Sequence, residues 1–165
     1  MSTEGSKDRM LGRVRVIADY QFGAGAGTGI FPEGCSFILS QTGRVRQVLL
    51  GEDRVATLRA YDGRLTLSFA GAARLREALP PPAYRVTVDP SVADFITEAK
   101  TAFAKHVVSA DPGIRAGDEV LLVTGEDGLL ATGTALLSGV EMLSFKYGPA
   151  VKIREGRRSG CSQEK

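Results

Sequence analysis

Tryptophan is absent from these 165 residues, histidine occurs once and cysteine twice. One histidine, His106, and two distant cysteines, Cys35 and Cys161, do not supply the ligand spacing of a zinc site. The same shortage leaves nothing for a conventional Ser-His-Asp or Cys-His arrangement. No catalytic residue, metal ligand or cofactor is therefore assigned, and the chain is read as a non-enzyme. Cys161 lies in a polar tail, so no designed disulfide is expected and a reducing cytoplasm fits best. No run of about 18 apolar residues exists to span a membrane. The first ten residues are polar and lack the apolar core of a signal peptide. Aromatics are sparse at 7% and the net charge is only +2. A nucleic-acid surface would have to come from local clustering of cations rather than from bulk charge.

What is present is glycine, 20 residues of it, and a hydrophobic fraction of 43% that can supply a core. Alternation predicts strands over residues 13–17, 36–40, 44–50, 54–60 and 64–69, with Thr42-Gly43 and Asp62-Gly63 as turns. A glycine-rich loop is expected over residues 23–29 and a short helix over 71–79. Three prolines, 80–82, stop that helix and stiffen the chain into a boundary. Beyond it, strands are expected over residues 84–88, 103–109, 119–124, 129–137 and 150–154. Asp89 and Pro90 suit the cap and first position of a helix whose apolar face is Val92, Phe95, Ile96 and Ala99. Residues 138–142 read as a helical turn. About five strands with a helix after the first make a compact barrel-like pattern. The expected organisation is a disordered tail over 1–11, an α+β domain over 12–82, a second domain over 84–156, and a tail over 157–165.

Binding is better supported than covalent chemistry. The 23–29 loop follows an expected strand, but its glycines miss the G-x-G-x-x-G spacing and no G-K-[ST] is present, so a flexible or close-packed loop outweighs a phosphate cradle. The acidic pairs Glu52-Asp53, Asp118-Glu119 and Glu126-Asp127 read as solvated turn or strand-edge residues, Asp118 as a turn cap. Cations recur two apart: Arg13 and Arg15, Arg44 and Arg46, Lys152 and Arg154. On a strand each pair shares one face and can track successive phosphates. Phe145 and Tyr147 flank Lys146 and are able to stack on unpaired bases, although core packing is the commoner use of a Phe.

Residues 102–105 (Ala-Phe-Ala-Lys), 107–112, 114–120 (Ile-Arg-Ala-Gly-Asp-Glu-Val), 132–139, 141–143 and 148–153 run in the register of a PUA domain. They resemble most closely the one at the C-terminus of archaeal tRNA-guanine transglycosylases, the enzymes of the archaeosine pathway. Residues 18–23, 40–48 and 56–60 are similar to the domain that precedes PUA in those enzymes. The resemblance implies an α+β N-terminal domain followed by a PUA-type β-pseudobarrel with short helices. It also implies a non-catalytic protein that binds tRNA or structured RNA by the acceptor stem and 3′ end, with a catalytic transglycosylase subunit as partner and no membrane. Carried over residue by residue, it implicates Phe103, Ala104, Lys105 and His106, with Lys146, Lys152 and Arg154. Arg44, Arg46 and Arg115 are further candidate phosphate contacts. The alternatives are a stand-alone RNA-binding module of ribosome or RNA metabolism, and an assembly protein whose N-terminal domain binds protein. An apolar patch left exposed on residues 13–82 would favour the last.

Overall fold

The computed structural model describes residues 3–157, so the end of the expected C-terminal tail, 158–165, lies outside the described residues. The chain divides after Leu79 into two compact units.

The first unit opens with a 20-residue helix, α1 (Thr3–Phe22). This corrects two expectations: residues 3–11 are helix rather than a disordered tail, and residues 13–17 are helix rather than strand. The alternation of Arg13 to Ile17 is a short-window coincidence. Over the longer window Leu11, Val14, Ala18 and Phe22 are all buried, spaced three to four apart as one helical stripe requires. The expected glycine loop is a turn followed by α2 (Ala26–Ile30). A Cβ on Gly27 would collide with the Arg15 carbonyl, and one on Gly29 with the Ala78 side chain. Glycine therefore allows α2 to lie against its neighbours, as the close-packed reading requires. The Gly27 N–H donates to Asp19 Oδ1 at 2.7 Å, so an internal carboxylate takes the place of a phosphate.

Four antiparallel strands follow in meander order: β1 (Cys35–Leu39), β2 (Val45–Leu50), β3 (Asp53–Leu58) and β4 (Leu65–Leu67). Gly43, Gly51 and Gly63 turn between them, each at positive φ. α3 (Phe69–Ala78) is capped by Ser68, which accepts from Gly71 N. The expected strand over 64–69 therefore ends at Leu67, and Phe69 opens the helix instead. Ile30, Phe31, Val48, Leu65, Leu67 and Leu75 fill the core. Each such side chain contributes roughly 1.5–3 kcal/mol by leaving water.

The second unit is a curled six-stranded sheet: β5 (Arg85–Val88), β6 (Thr101–Phe103), β7 (Val107–Ala110), β8 (Glu119–Val123), β9 (Leu129–Ala135) and β10 (Pro149–Gly156), in spatial order β6-β10-β9-β8-β5-β7. The expected strand over 103–109 is broken. A 3-10 turn, Ala104–His106, separates β6 from β7, which lie at opposite edges of the sheet. That turn carries the chain from one edge to the other and closes the pseudobarrel. It is tied on one side by Ala104 N to Gly148 O (2.9 Å) and on the other by Asp89 N to His106 O (2.9 Å).

Asp89 caps a 3-10 turn, Pro90–Val92, accepting from Ser91 N. It leads into a single helical turn, α4 (Ala93–Ile96). Ile96 is buried but Phe95 is 58% exposed, which corrects its assignment to the apolar face. α5 (Gly139–Ser144) carries a full capping box between Ser138 and Glu141. Val86, Val120, Leu122, Leu130, Met142 and Val151 are among the core residues. Asp127 is not a free turn carboxylate: it pairs with Arg85, whose side chain is 3% exposed.

Candidate nucleic-acid interface

Register brings one end of the second sheet together from four segments. Phe103 at the end of β6 stands opposite Pro149 at the start of β10. The 3-10 turn after Phe103 is bonded through Ala104 N to Gly148, and Gly148, at φ 85, turns the chain after residues 145–147 into β10. Leu136 N donates to Ala150 O (2.8 Å) and Gly117 N to Ala135 O (2.7 Å), which adds the turn carrying Arg115 to the same end. Asp118 holds that turn by accepting from Arg115 N (2.9 Å), the capping role expected of it.

The side chains at this end are cationic and aromatic. Lys105, Arg115 and Lys146 are exposed and His106 is half-buried. Phe103 is 38% exposed, Phe145 is 48% exposed rather than packed in the core, and Tyr147 is 87% exposed. Such a surface offers point charges for phosphates beside ring faces for unstacked bases. Lys152 lies further along β10, exposed, between Thr101 on β6 and Thr134 on β9.

Two expected contacts are placed elsewhere. Ala104 is 3% exposed and belongs to the core cluster, so its side chain packs inward. Arg154 is bonded to Glu119: Nη1 donates to Oε1 at 2.9 Å and Nη2 to Oε2. Glu119 is 4% exposed, a buried carboxylate rather than a solvated strand-edge acid. Its charge needs a partner, and Arg154 from two strands away supplies it.

In the first unit, Arg44 and Arg46 are exposed on either side of buried Val45. They share a groove of about 590 Å³ with Arg13, Ser40, Thr42, Arg59 and Tyr61. Arg59 is fixed there by Asp62 (3.1 and 2.7 Å) and by the Tyr61 ring, 5.0 Å from its guanidinium carbon. The expected Arg13 and Arg15 pair does not form, because residues two apart on a helix point to different sides. Arg15 Nε instead donates to the Phe31 carbonyl at 2.8 Å. Sequence reading missed that Arg13, Arg44, Arg46 and Arg59 converge; only the pairing of Arg44 with Arg46 was visible locally.

Among the described residues no helix is long and apolar enough to cross a membrane, and no group of three or more His, Cys, Asp or Glu side chains is placed to hold a metal ion.

Comparison with known proteins matches residues 12–82 to the patch-forming domain C2 of tRNA-guanine transglycosylase and residues 84–157 to the PUA domain. The chain is 48% identical over 155 residues to the tRNA-guanine(15) transglycosylase of Pyrococcus abyssi, covering 94% of this chain and 26% of the relative. It is 50% identical over 143 residues to that of Pyrococcus furiosus, covering 87% and 24%. It thus spans about a quarter of the length of these curated relatives. The fold is shared with a hypothetical protein from Pyrococcus horikoshii (TM-score 0.70, 22% identity, 91% of each chain). It is shared also with a conserved PUA domain protein from Thermoplasma acidophilum (TM-score 0.62, 21% identity, 95% and 91% covered). The chain is a PUA domain protein, with a patch-forming C2 domain ahead of the PUA domain, homologous to the C-terminal part of archaeal tRNA-guanine(15) transglycosylases.

Proposed function

We propose that this chain is a non-catalytic tRNA-binding protein, an accessory subunit that positions the acceptor stem and 3′ end of tRNA for an archaeosine-type tRNA-guanine transglycosylase. The observation that carries this reading is the convergence of Phe103, Lys105, His106, Lys146 and Tyr147 at one end of the PUA sheet, held by the Ala104 to Gly148 hydrogen bond. Phosphates and 2′-hydroxyls of a stem are read by shape and charge, which needs exposed cations on a fixed frame. Lys105, Lys146 and Lys152 meet that need. An unpaired end has open base faces, and Tyr147 and Phe103 offer rings for them. The groove of Arg13, Arg44 and Arg46 adds phosphate contacts from the C2 domain. On this reading the partner performs the base exchange, and this chain supplies affinity and position.

The test is a titration with intact tRNA and with tRNA trimmed of its 3′ single strand, each at two salt concentrations. Salt-sensitive binding that weakens on trimming is expected. Substituting Lys105, Lys146 and Lys152 together by Ala should lower the log–log salt slope by about 2–3, since each lost phosphate contact removes roughly 0.7–0.9. Binding indifferent to both trimming and salt refutes the reading.

A further inference from the structure

The outer face of α1 carries a second, different surface. Leu11, Val14, Ala18 and Phe22 point inward. Arg9, Arg13, Val16 and Tyr20, spaced four, three and four, form a stripe on the opposite side, all exposed. Val16 is 67% exposed and Tyr20 94%. A single exposed apolar residue needs no explanation. Here Val16 and Tyr20 join half-buried Ile17, Gln21, Arg64 and the Asp62-Gly63 turn around one groove of about 560 Å³.

The groove is built rather than loose. Gln21 Nε2 donates to Leu65 O (2.9 Å) and its Oε1 accepts from Leu65 N (2.7 Å). That amide fixes the end of α1 against β4 and occupies both backbone groups of Leu65, which blocks strand addition at that residue of the edge strand. A partner at this groove meets side chains rather than a free Leu65 backbone, as a helix or ridge laid into it does.

The relatives indicate the occupant. They are single chains in which this segment is the C-terminal quarter, so three quarters of the enzyme precede the helix corresponding to α1. In those proteins the main body is joined close to this helix and is at high effective concentration beside it. We propose that the Val16 and Tyr20 face of α1 docks the body of a tRNA-guanine transglycosylase, the part the relatives carry ahead of this segment. Apolar side chains of that body enter the groove beside Val16 and Tyr20. This rests on the accessory-subunit reading above and adds to it the surface that joins the two chains.

The test uses the full chain and, as probe, a tRNA-guanine transglycosylase chain that naturally ends ahead of the C2 and PUA domains. Affinity is read by calorimetry and stoichiometry by light scattering. Wild type should form a one-to-one complex. The double variant Val16→Ser, Tyr20→Ser should weaken it at least about tenfold, as loss of an aromatic anchor does. Its circular dichroism and tRNA affinity should stay as in wild type, since neither residue is in the core. If both proteins bind the probe equally, this face is not the joint, while the accessory-subunit reading stands. If wild type does not bind the probe, both fall. If the chain alone dimerises and the double variant is monomeric, the face belongs to a second copy and the proposal is overturned.

Discussion

Replacing Arg154 by Ala separates a structural cation from an RNA contact. In the structure Arg154 neutralises Glu119, whose side chain is 4% exposed, while Arg154 itself keeps 30% of its surface in water. Removing one partner of a fully buried pair costs about 3–5 kcal/mol, because the remaining charge is stranded. Solvent reaches the arginine end and screens the pair, so roughly 2–3 kcal/mol is expected here. For a domain of this size 1 kcal/mol shifts Tm by about 4–8 °C, giving a fall of roughly 10–20 °C. Amide NMR signals of β8, β9 and β10 followed through thermal unfolding report the PUA unit alone. The double replacement Glu119→Leu, Arg154→Leu should recover stability to within about 1 kcal/mol, since it strands no charge. An unchanged Tm in Arg154→Ala, with weaker tRNA binding and a shallower salt slope, would refute this reasoning and return Arg154 to the RNA.

Two further outcomes follow from packing and titration. Gly133→Ala should destabilise the PUA unit by about 1–3 kcal/mol, because its Cβ would press into the Lys152 carbonyl of the neighbouring strand; an unchanged urea midpoint would show that the β9–β10 contact yields freely. Hydrogen bonds from the Ser138 backbone and side chain hold the Glu141 carboxyl below its ordinary 4.5. A depressed folded-state pKa gives stability that is present above 4.5 and lost as pH falls through the depressed value. Protection factors of the α5 amides, corrected for the intrinsic pH dependence of exchange, should therefore fall only below pH 4.5 in wild type and stay level there in Glu141→Gln; a midpoint above 4.5 would contradict the capping geometry.

Much of the strand pattern was legible because its causes are local. Gly43 and Gly63 act within a residue or two, through φ > 0, so the period-two runs that they separate read correctly as strands. α1 was misread because Arg13 to Ile17 alternates over five residues, while the helical stripe of Leu11, Val14, Ala18 and Phe22 needs twelve to be seen. The 3-10 turn at Ala104–His106 was hidden for another reason. Its purpose, joining two edges of one sheet, exists only when the sheet has curled.

By itself the sequence determined that this is a glycine-turned α+β chain, poor in catalytic side chains, with cations and aromatics gathered around residues 103–106 and 145–152. Tertiary structure alone decided which cations are committed to partners inside the fold. Lys105 and Lys146 stand exposed, Arg154 is bound to Glu119 35 residues away, and Arg15 to the Phe31 carbonyl 16 residues away. The physical reason is that a charge is free or committed according to the nearest buried opposite charge or polar group, and that neighbour is set by folding rather than by position along the chain.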